Sequence, residues 1–416
     1  MASTRAGSKR LLRDLNQSIV FNLIAGQGSI SRTELVKRSG LPAATITRIV
    51  GNFLAAGLIS EVTSEVSSGG RRPVLLSINP GAVQVIGVRL REDGIKVTVC
   101  DLNCTAIHSI DAQMSDTEPH HVVEALAEAV KRCMSEAGIS SRSVLGVGIG
   151  LSGLIDSERG ICRYWSILNW RDVELGPALQ FKLHMPIRMD NDANTLAVAE
   201  RYFGSGRDAA NFLLVTVGRG VGMGIIVKGE IYRGSHGGAG EFGHMTVDAS
   251  ADAPMCSCGK RGCLEAIVSD YGILRAATGR DPGHHGEDTI ENLVEQASRG
   301  DESLRAIFAR AGNTLGIAIA NMINIFDPAR VLICGDGLRV GNLLLEPLRA
   351  AIPIHSFGPF PPISPIVHPI DETNWTRGAA SLILREIFQP PIYESEEPLA
   401  IDELLSQASS LHRRKG

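Results

Sequence analysis

Long hydrophobic runs are missing from this 416-residue sequence. No stretch reaches the roughly 18 consecutive apolar residues that a membrane-spanning helix needs, so no membrane partner is expected. The first residues, MASTRAGSKRLL, are basic but lack the apolar segment of a secretory signal peptide. A composition of 44% hydrophobic and 21% charged residues is ordinary for a folded, water-soluble protein. We therefore expect a cytoplasmic protein.

Cysteine is scarce as well, with eight residues in the chain. Five of them stand apart in apolar stretches, where reduced core thiols are expected, and this spacing does not suggest the disulfide framework of a small secreted domain. These five are Cys100, Cys104, Cys133, Cys162 and Cys334. The other three lie within eight residues of one another and need a different explanation.

A large excess of either charge is absent too, since the net charge is only −4. The charge is nevertheless uneven. Residues 1–78 hold ten Lys and Arg against four Asp and Glu, a balance of +6, so the remainder carries −10. A basic head on an acidic body indicates that the head alone meets a polyanion.

The head begins with the spacing of an amphipathic helix. Leu12, Leu15, Ile19 and Leu23 recur every three or four residues, which predicts a helix over residues 9–25. Two more helices follow, over residues 32–38 and 42–56, separated by a tight turn that contains glycine. Helix, short turn and helix is the arrangement of a helix-turn-helix motif.

The third helix has the character of a DNA recognition helix. Ser31 is placed to cap the second helix, and Pro42 suits the first turn of the third. The buried side of the third helix is predicted to carry Ile46, Ile49, Val50, Phe53 and Leu54. Its exposed end carries small or hydrogen-bonding side chains that suit close approach to a major groove, namely Ala43, Ala44, Thr45, Thr47 and Arg48.

A two-stranded wing is expected after the third helix. Its strands are joined by Gly69-Gly70-Arg71-Arg72-Pro73, and Arg71 and Arg72 at the tip are suited to a minor groove or to phosphates. Together the three helices and the wing predict a winged helix-turn-helix DNA-binding domain over residues 1–80. A three-helix protein-binding module with a solvated hairpin is the alternative.

The body, residues 81–391, alternates short apolar strands with helices. Helices are predicted over residues 120–137, 192–203, 262–277 and 304–325, and the alternation indicates an α/β fold with mixed sheets. Two apolar halves divided near residue 205 fit two lobes with a cleft. Glycine-rich stretches at 148–153, 218–224 and 335–337 either present backbone N–H groups to phosphates or turn the chain.

A metal-binding cluster is indicated by Cys256, Cys258 and Cys263, with His244 twelve residues upstream of the first. One imidazole and three thiolates form a Cys₃His set, which zinc favours. With four protein ligands no position stays open for water, so the expected Zn²⁺ is structural.

Carboxylates stand close to this cluster in sequence. Glu241 precedes His244 by three residues, and Glu265 follows Cys263 by two. Such pairs suit neighbouring sugar hydroxyls, because each oxygen accepts a charge-assisted hydrogen bond. Asp192, at the expected start of a helix, is either a further polar ligand or a helix cap.

The stretches GGAGEFGHMTV and CSCGKRGCLE resemble the signature of the ROK family, which groups bacterial repressors and sugar kinases. The resemblance extends over about residues 10–390. It implies a two-lobed actin/hexokinase-like (ribonuclease H-like) domain with a structural zinc loop. Sugar contacts or their positioning are implied for Asn169, Asn191, Asp192, Glu241, His244 and Glu265.

The resemblance fails where ROK kinases surround the transferred phosphate. At residues 85–97, VIGVRLREDGIKV, Arg89 stands at the place of the family aspartate, and long charged side chains replace a turn of small residues. Asp192 matches the kinase base, but the phosphate cradle is degenerate. We therefore expect a sugar-responsive repressor, similar to xylose or N-acetylglucosamine repressors, that is not an enzyme.

The expected repressor binds double-stranded operator DNA as a homodimer or homotetramer, and a sugar in the cleft releases it. Two alternatives remain: a hexose kinase with an added DNA-binding domain, and a regulator that responds to a protein partner. The C-terminal tail, residues 392–416, has the apolar spacing of a short amphipathic helix, with no indication of what it packs against.

Overall fold

The structure is a computed structural model that describes residues 9–63, 74–280, 289–358, 363–388 and 401–415. Within these residues the helices are α1 (Lys9–Gln27), α2 (Arg32–Ser39), α3 (Ala43–Ala55), α4 (Pro119–Glu136), α5 (Leu175–Leu183), α6 (Asp192–Phe203), α7 (Glu265–Val268), α8 (Asp270–Thr278), α9 (Ile290–Ser298), α10 (Glu302–Phe326), α11 (Asn342–His355), α12 (Glu372–Phe388) and α13 (Ile401–Lys415).

The strands in the same residues form four sheets. They are β1 (Ile30–Ser31), β2 (Ile59–Thr63), β3 (Val74–Ile78), β4 (Gln84–Arg91), β5 (Gly94–Cys100), β6 (Ala106–Ala112), β7 (Val144–Leu151), β8 (Leu154–Asp156), β9 (Ile161–Trp165), β10 (Trp170–Val173), β11 (Ile187–Asn191), β12 (Phe212–Val217), β13 (Val221–Val227), β14 (Glu230–Ile231), β15 (Arg330–Cys334) and β16 (Ile366–His368). The sheet orders are β1-β3-β2, β10-β9-β8, β11-β7-β4-β5-β6 and β14-β13-β12-β15-β16.

The chain forms two compact units. The first unit contains Met1–Gly150, Gly176–Met189 and Ala379–Gly416, and the second contains Leu151–Leu175 and Asp190–Gly378. This division differs from the predicted one near residue 205, because a segment before α6 and the C-terminal part of the chain return to the first unit. The periodicity of the sequence does not show that segments distant along the chain belong to the same unit.

The head has the three predicted helices. Ser31 caps α2, with its hydroxyl accepting from the backbone N–H of Glu34 at 3.2 Å, and Gly40 ends that helix in the left-handed conformation. On α3, Ile46, Ile49, Val50 and Phe53 are buried, whereas Leu54 is only half-buried. The wing strands β2 and β3 pair antiparallel, and β1, which the sequence did not indicate, adds a third strand.

The head packs against the C-terminal helices within the first unit. The ring of Phe21 on α1 lies 5.6 Å from that of Phe388 at the end of α12. Helix α13 packs against α1 and α3, and Gln407 donates to the backbone oxygens of Arg142 and Val144 at 2.7 and 3.0 Å. The sequence did not indicate what the C-terminal tail packs against. In the structure the tail contains a helix, α13, that packs on the head and on the start of β7.

The second unit is built around a five-stranded mixed sheet. Strand β12 pairs antiparallel with β13 and parallel with β15, and all its residues are buried. Helix α10 is long and apolar enough to cross a membrane by composition, yet 56% of its most apolar window is buried inside the protein. Its extensive packing on α11 is that of a core helix in a globular unit.

One helix of the predicted pattern is wrong. The expected helix over residues 262–277 is two helices, α7 and α8, because Ser269 between them is extended and its hydroxyl caps α8 by accepting from Gly272 N–H at 3.2 Å. Helix α8 therefore begins with its own N-cap at Ser269, a break that the hydrophobic spacing does not reveal.

Two of the three glycine-rich stretches lie partly in strands, whereas residues 335–337 follow β15. Gly148 lies inside β7 and Gly224 inside β13. A Cβ at Gly224 would lie 2.5 Å from the Cβ of Ala197 and 2.8 Å from the backbone oxygen of Ala193, so glycine here permits close packing of α6 on the sheet. Neither of these two glycines turns the chain, because each lies inside a strand.

Candidate functional site

The predicted metal ligands meet at one point in the second unit. The ligand atoms of His244, Cys256, Cys258 and Cys263 all lie within 4.8 Å of one another. The sulfurs of Cys258 and Cys263 are 3.8 Å apart, and Nδ1 of His244 is 3.6 Å from the sulfur of Cys256. Zinc–ligand lengths of about 2.3 Å to sulfur and about 2.0–2.1 Å to nitrogen place tetrahedral corners about 3.8 and about 3.6 Å apart. The donor set and its spacing therefore fit zinc.

Hydrogen bonds of the backbone fold the cysteine loop around this point. The N–H of Cys256 donates to the oxygen of Lys260 at 2.7 Å, and the isolated bridge between Thr246 and Cys263 joins the two ends of the segment. Arg275 on α8 donates to the oxygens of Met255 and Ala266 at 2.6 and 3.2 Å. The loop is therefore held from both sides.

The cluster is electrostatically suited to a cation. Burial raises the pKa of the Cys263 thiol to about 12, and the neighbouring thiols of Cys256 and Cys258 act in the same direction. A bound cation reverses this effect, because metal ligation stabilises the thiolate form.

Glu241 precedes a single turn of 3₁₀ helix, Phe242–His244, which ends at His244 and in which Phe242 is buried. Nδ1 of His244 faces the thiols, while Nε2 lies 3.9 Å from a carboxylate oxygen of Glu241. A second partner on the far nitrogen of a metal-bound histidine fixes the orientation of the ring. The same histidine thus connects the metal cluster to Glu241.

Glu241 lies among carboxylates. Burial raises its pKa although 39% of its side chain remains accessible; the charges of Asp192 and Glu265 raise it further, and His244 opposes them. The structure therefore brings Asp192 and Glu265 each within electrostatic range of Glu241. Crowded, partly buried acceptors are stabilised by a ligand that donates several hydrogen bonds.

Glu265, the first residue of α7, is held at both oxygens. Oε1 accepts from the hydroxyl of Ser257 at 3.0 Å and lies 3.7 Å from the sulfur of Cys256, and Oε2 accepts from the backbone N–H of Val221 at 3.2 Å. The carboxylate thus joins the cysteine loop to the start of β13. Sequence reasoning missed Ser257, although its place between two cysteine ligands is a signal that it lies at the loop.

Asn191 is the N-cap residue of α6, and Asp192, the first helical residue, also accepts from the backbone N–H of Ala193 at 2.8 Å. The side-chain oxygen of Asn191 accepts from Ala193 N–H at 2.9 Å, and its amide donates to the oxygen of Gly153 at 3.1 Å. Asp192 accepts from the hydroxyl of Ser152 at 3.3 Å. Ser152 was also missed, because it lies in a glycine-rich stretch that offered only backbone roles.

Asn169 has a turn-forming role of its own. It lies between β9 and β10 with a φ of 53°, a left-handed conformation that asparagine tolerates better than most residues. It is exposed, while its neighbour Trp170 is buried against Trp165. Its assignment to sugar binding stays a prediction.

The candidate DNA-contacting face of α3 is exposed in the first unit. Ala44, Thr47 and Arg48 are exposed and Thr45 is half-buried. The hydroxyl of Thr47 donates to the backbone oxygen of Ala43 at 2.9 Å. Arg71 and Arg72 lie outside the residues that the structure describes.

The segment that stands at the place of the kinase phosphate loop is a tight hairpin. Strand β4 runs through Arg89 to Arg91 and pairs with β5 in register Arg89 with Lys96. Glu92 and Asp93 alone form the turn, and Asp93 pairs with Arg91 at 3.0 Å.

Comparison with known proteins finds similarity to ROK proteins over most of the chain. The ROK family model matches residues 85–386. The xylose repressor of Caldicellulosiruptor bescii is 31% identical over 84% of this chain and 90% of its own length. The DNA-binding transcriptional dual regulator NagC of Escherichia coli is 29% identical over 91% of this chain and 94% of its own.

Similarity at the level of structure includes the head. The crystal structure of a ROK family transcriptional regulator, a homologue of the Escherichia coli MLC protein, has a TM-score of 0.78 and 27% identity, and it covers 96% of this chain and 100% of its own. Matched ROK sugar kinases of known structure cover 72% of this chain. The chain belongs to the ROK family and aligns over nearly its whole length with transcriptional regulators of that family.

Proposed function

We propose that this chain is a transcriptional repressor of sugar genes, which a monosaccharide releases from its operator. The observation that carries the proposal is that the match to a ROK transcriptional regulator covers 96% of this chain, whereas that to a ROK glucokinase covers 72%, and that α3 in the head exposes a polar face. We place the DNA-binding domain at residues 1–80, the sugar-binding ROK domain at 81–391 and the tail at 392–416.

The head supplies the DNA contacts in this proposal. Arg48 reaches a base edge or a phosphate, and Ala44, Thr45 and Thr47 allow α3 to approach the major groove. Arg71 and Arg72 of the wing remain predicted phosphate or minor-groove contacts. A homodimer or homotetramer would present two such heads to a palindromic operator. Operator DNA as a partner favours the cytoplasm as location.

Zinc is the cofactor proposed for His244, Cys256, Cys258 and Cys263. Four protein ligands leave no position for a substrate, so the ion would be structural. It would hold His244 on one side and Cys256 on the other, and through them the two carboxylates, Glu241 and Glu265.

The sugar site is proposed at the carboxylates of the second unit. A row of sugar hydroxyls would find acceptors in the carboxylates of Asp192, Glu241 and Glu265. Two further polar groups lie near them in the chain: the amide of Asn191 next to Asp192, and Nε2 of His244 three residues after Glu241. A neutral polyol supplies several O–H donors and adds no charge to a crowded acidic site. Asn169 is retained as a predicted contact.

Sugar and operator must affect each other reciprocally in such a regulator. If the sugar lowers operator affinity, the operator lowers sugar affinity by the same factor, typically corresponding to about 1–3 kcal/mol. The test is a binding titration with the operator, repeated with xylose, N-acetylglucosamine, glucose and their phosphates. Release by one of these sugars supports the proposal, whereas operator binding that none of them changes would favour a protein effector.

Arg48→Ala is expected to weaken operator binding by about 10- to 100-fold, because a lost side-chain contact to a base edge costs about 1–3 kcal/mol. Sugar affinity should not change. Electrophoretic mobility shifts at fixed salt measure the first and calorimetry the second. Arg299→Ala, which removes an exposed charge from the second unit, is the matched control. Equal operator affinity for Arg48→Ala and Arg299→Ala would remove α3 from the interface.

A sugar kinase is the second candidate, because Asp192 and its contact with Ser152 are present. The tight turn at Glu92-Asp93 argues against it, since it leaves no loop of small residues to surround a phosphate. We expect hexose-dependent ADP release at least about 1000-fold below the 1–10³ s⁻¹ of typical enzymes. Turnover that disappears in Asp192→Asn would establish the kinase.

A further inference from the structure

An ion pair between a buried carboxylate and a half-buried arginine lies beside the proposed sugar site. Asp190, the residue before Asn191 and Asp192, is 1% exposed. Nε and Nη2 of Arg233 lie 2.7 and 2.6 Å from Oδ2 of Asp190. The two residues are 43 positions apart, and both belong to the second unit.

The other oxygen of Asp190 is used as well. Oδ1 accepts from the backbone N–H of Asn191 at 2.8 Å and from the side-chain amide of Asn194 at 2.9 Å. The carboxylate of Asp190 thus accepts hydrogen bonds from the guanidinium of Arg233, from the backbone N–H of Asn191, which caps α6, and from the side-chain amide of Asn194 in the first turn of α6. It joins the beginning of α6 to the segment that follows β14.

The segment that follows β14 leads from Arg233 to Glu241. The N–H of Ala239 donates to the oxygen of Arg233 at 3.0 Å, which closes residues 233–239 into a loop. At Gly240, where φ is +91°, a Cβ would lie 2.1 Å from the backbone oxygen of Met223, so the chain runs directly against β13 before it reaches Glu241. Arg233 is therefore the base of the loop that carries this carboxylate.

We infer that Asp190 and Arg233 are positioning residues for the sugar site: their ion pair fixes Asn191 and Asp192 relative to Glu241. The inference rests on the proposed sugar-binding function. Neither residue needs to touch the sugar, because each is separated from a proposed contact by a short, hydrogen-bonded stretch of backbone. The planar fork of arginine suits this role, since it sets distance and orientation together.

Stability alone is a poor reason for such a pair. Desolvation of two charges offsets much of their attraction, so buried ion pairs contribute little net stability while they restrict geometry. Losing one partner is costly, however, because the other charge stays buried. The variants must therefore separate sugar binding from folding.

The test compares four variants by calorimetric titration with the monosaccharide that wild type binds, together with melting temperature and sugar-free operator affinity. Arg233→Gln is expected to weaken sugar binding at least 10-fold. Arg233→Lys, which keeps the charge but loses the fork, should weaken it less. The double variant Asp190→Asn with Arg233→Gln should regain part of the lost affinity, because two amides can pair without a buried charge. Arg201→Gln is the control, since Arg201 on α6 donates to the backbone oxygens of Gly229 and Arg207 away from the loop.

The outcomes are distinguishable. Wild type that binds no monosaccharide contradicts the proposed function itself. If wild type binds a monosaccharide and the Arg233→Gln and Arg233→Lys variants bind it equally well, only the positioning role is contradicted. A melting temperature that falls equally in Arg233→Gln and in the double variant, with sugar affinity falling in step and no rescue, would mean that the pair acts on folding only.

Discussion

Cys258→Ser is expected to reduce zinc from about one ion per chain to a trace and to lower the melting temperature by about 8–16 °C. The sulfur of Cys258 is one of four ligand atoms within 4.8 Å of one another, and hydroxyl oxygen is a poor replacement for thiolate. A ligand held at about a thousand times its dissociation constant stabilises a fold by about 4 kcal/mol. For a unit of 150–250 residues, 1 kcal/mol corresponds to about 2–4 °C. Metal analysis and thermal unfolding measure both quantities.

Sugar response should be lost in the same variant, because the proposed ion would hold residues on both sides of the proposed site. His244 faces Glu241 through Nε2, and the loop contacts Glu265 through Ser257 and Cys256. Removing zinc from wild type with a chelator should reproduce both effects. Cys162→Ala, at a fully buried thiol of β9 outside the cluster, is the matched control and should keep its metal. Normal zinc content in Cys258→Ser would contradict the cluster.

The parts of the site that the sequence predicts are those whose residues lie close together along the chain. Cys256, Cys258 and Cys263 fall within one short loop, so their spacing alone indicates that they meet, and the structure confirms it. The same holds for the head, where hydrophobic spacing and the Ser31 cap locate three helices. Local chemistry is sufficient in both cases.

Features formed by distant residues are not predictable in this way. The Asp190–Arg233 pair spans 43 positions, and neither residue stands out in composition or periodicity. The sequence suggested Asp192 as a possible cap of α6, whereas the structure places Asn191 at the N-cap position. The docking of α13 on the head likewise depends on contacts across more than 260 positions, such as that of Gln407 with Val144.

Glu265→Ala is expected to leave sugar-free operator binding intact and to weaken sugar binding about 100-fold or more, so that repression persists when sugar is present. Hydrogen bonds to a charged group contribute about 1.5–3 kcal/mol each, and the carboxylate has capacity for two hydroxyls beyond its present partners. Calorimetry with the cognate sugar measures the first effect, and operator release measures the second. A fully inducible variant would remove Glu265 from the sugar site.

A purely structural role for Glu265 predicts a different pattern. If the carboxylate only accepts from Val221 and Ser257, Glu265→Gln should behave nearly as wild type, since its carbonyl oxygen still accepts one of these bonds. Ser257→Ala would then lower the melting temperature about as much as Glu265→Ala. If the sugar hydroxyls interact with the charge, Glu265→Gln should still lose about 10-fold in sugar affinity, while Ser257→Ala should stay within about threefold of wild type, because a charged acceptor strengthens each hydrogen bond roughly twofold over a neutral one. The ranking of these three variants in sugar affinity therefore separates recognition from support at a residue that contacts both the cysteine loop and β13.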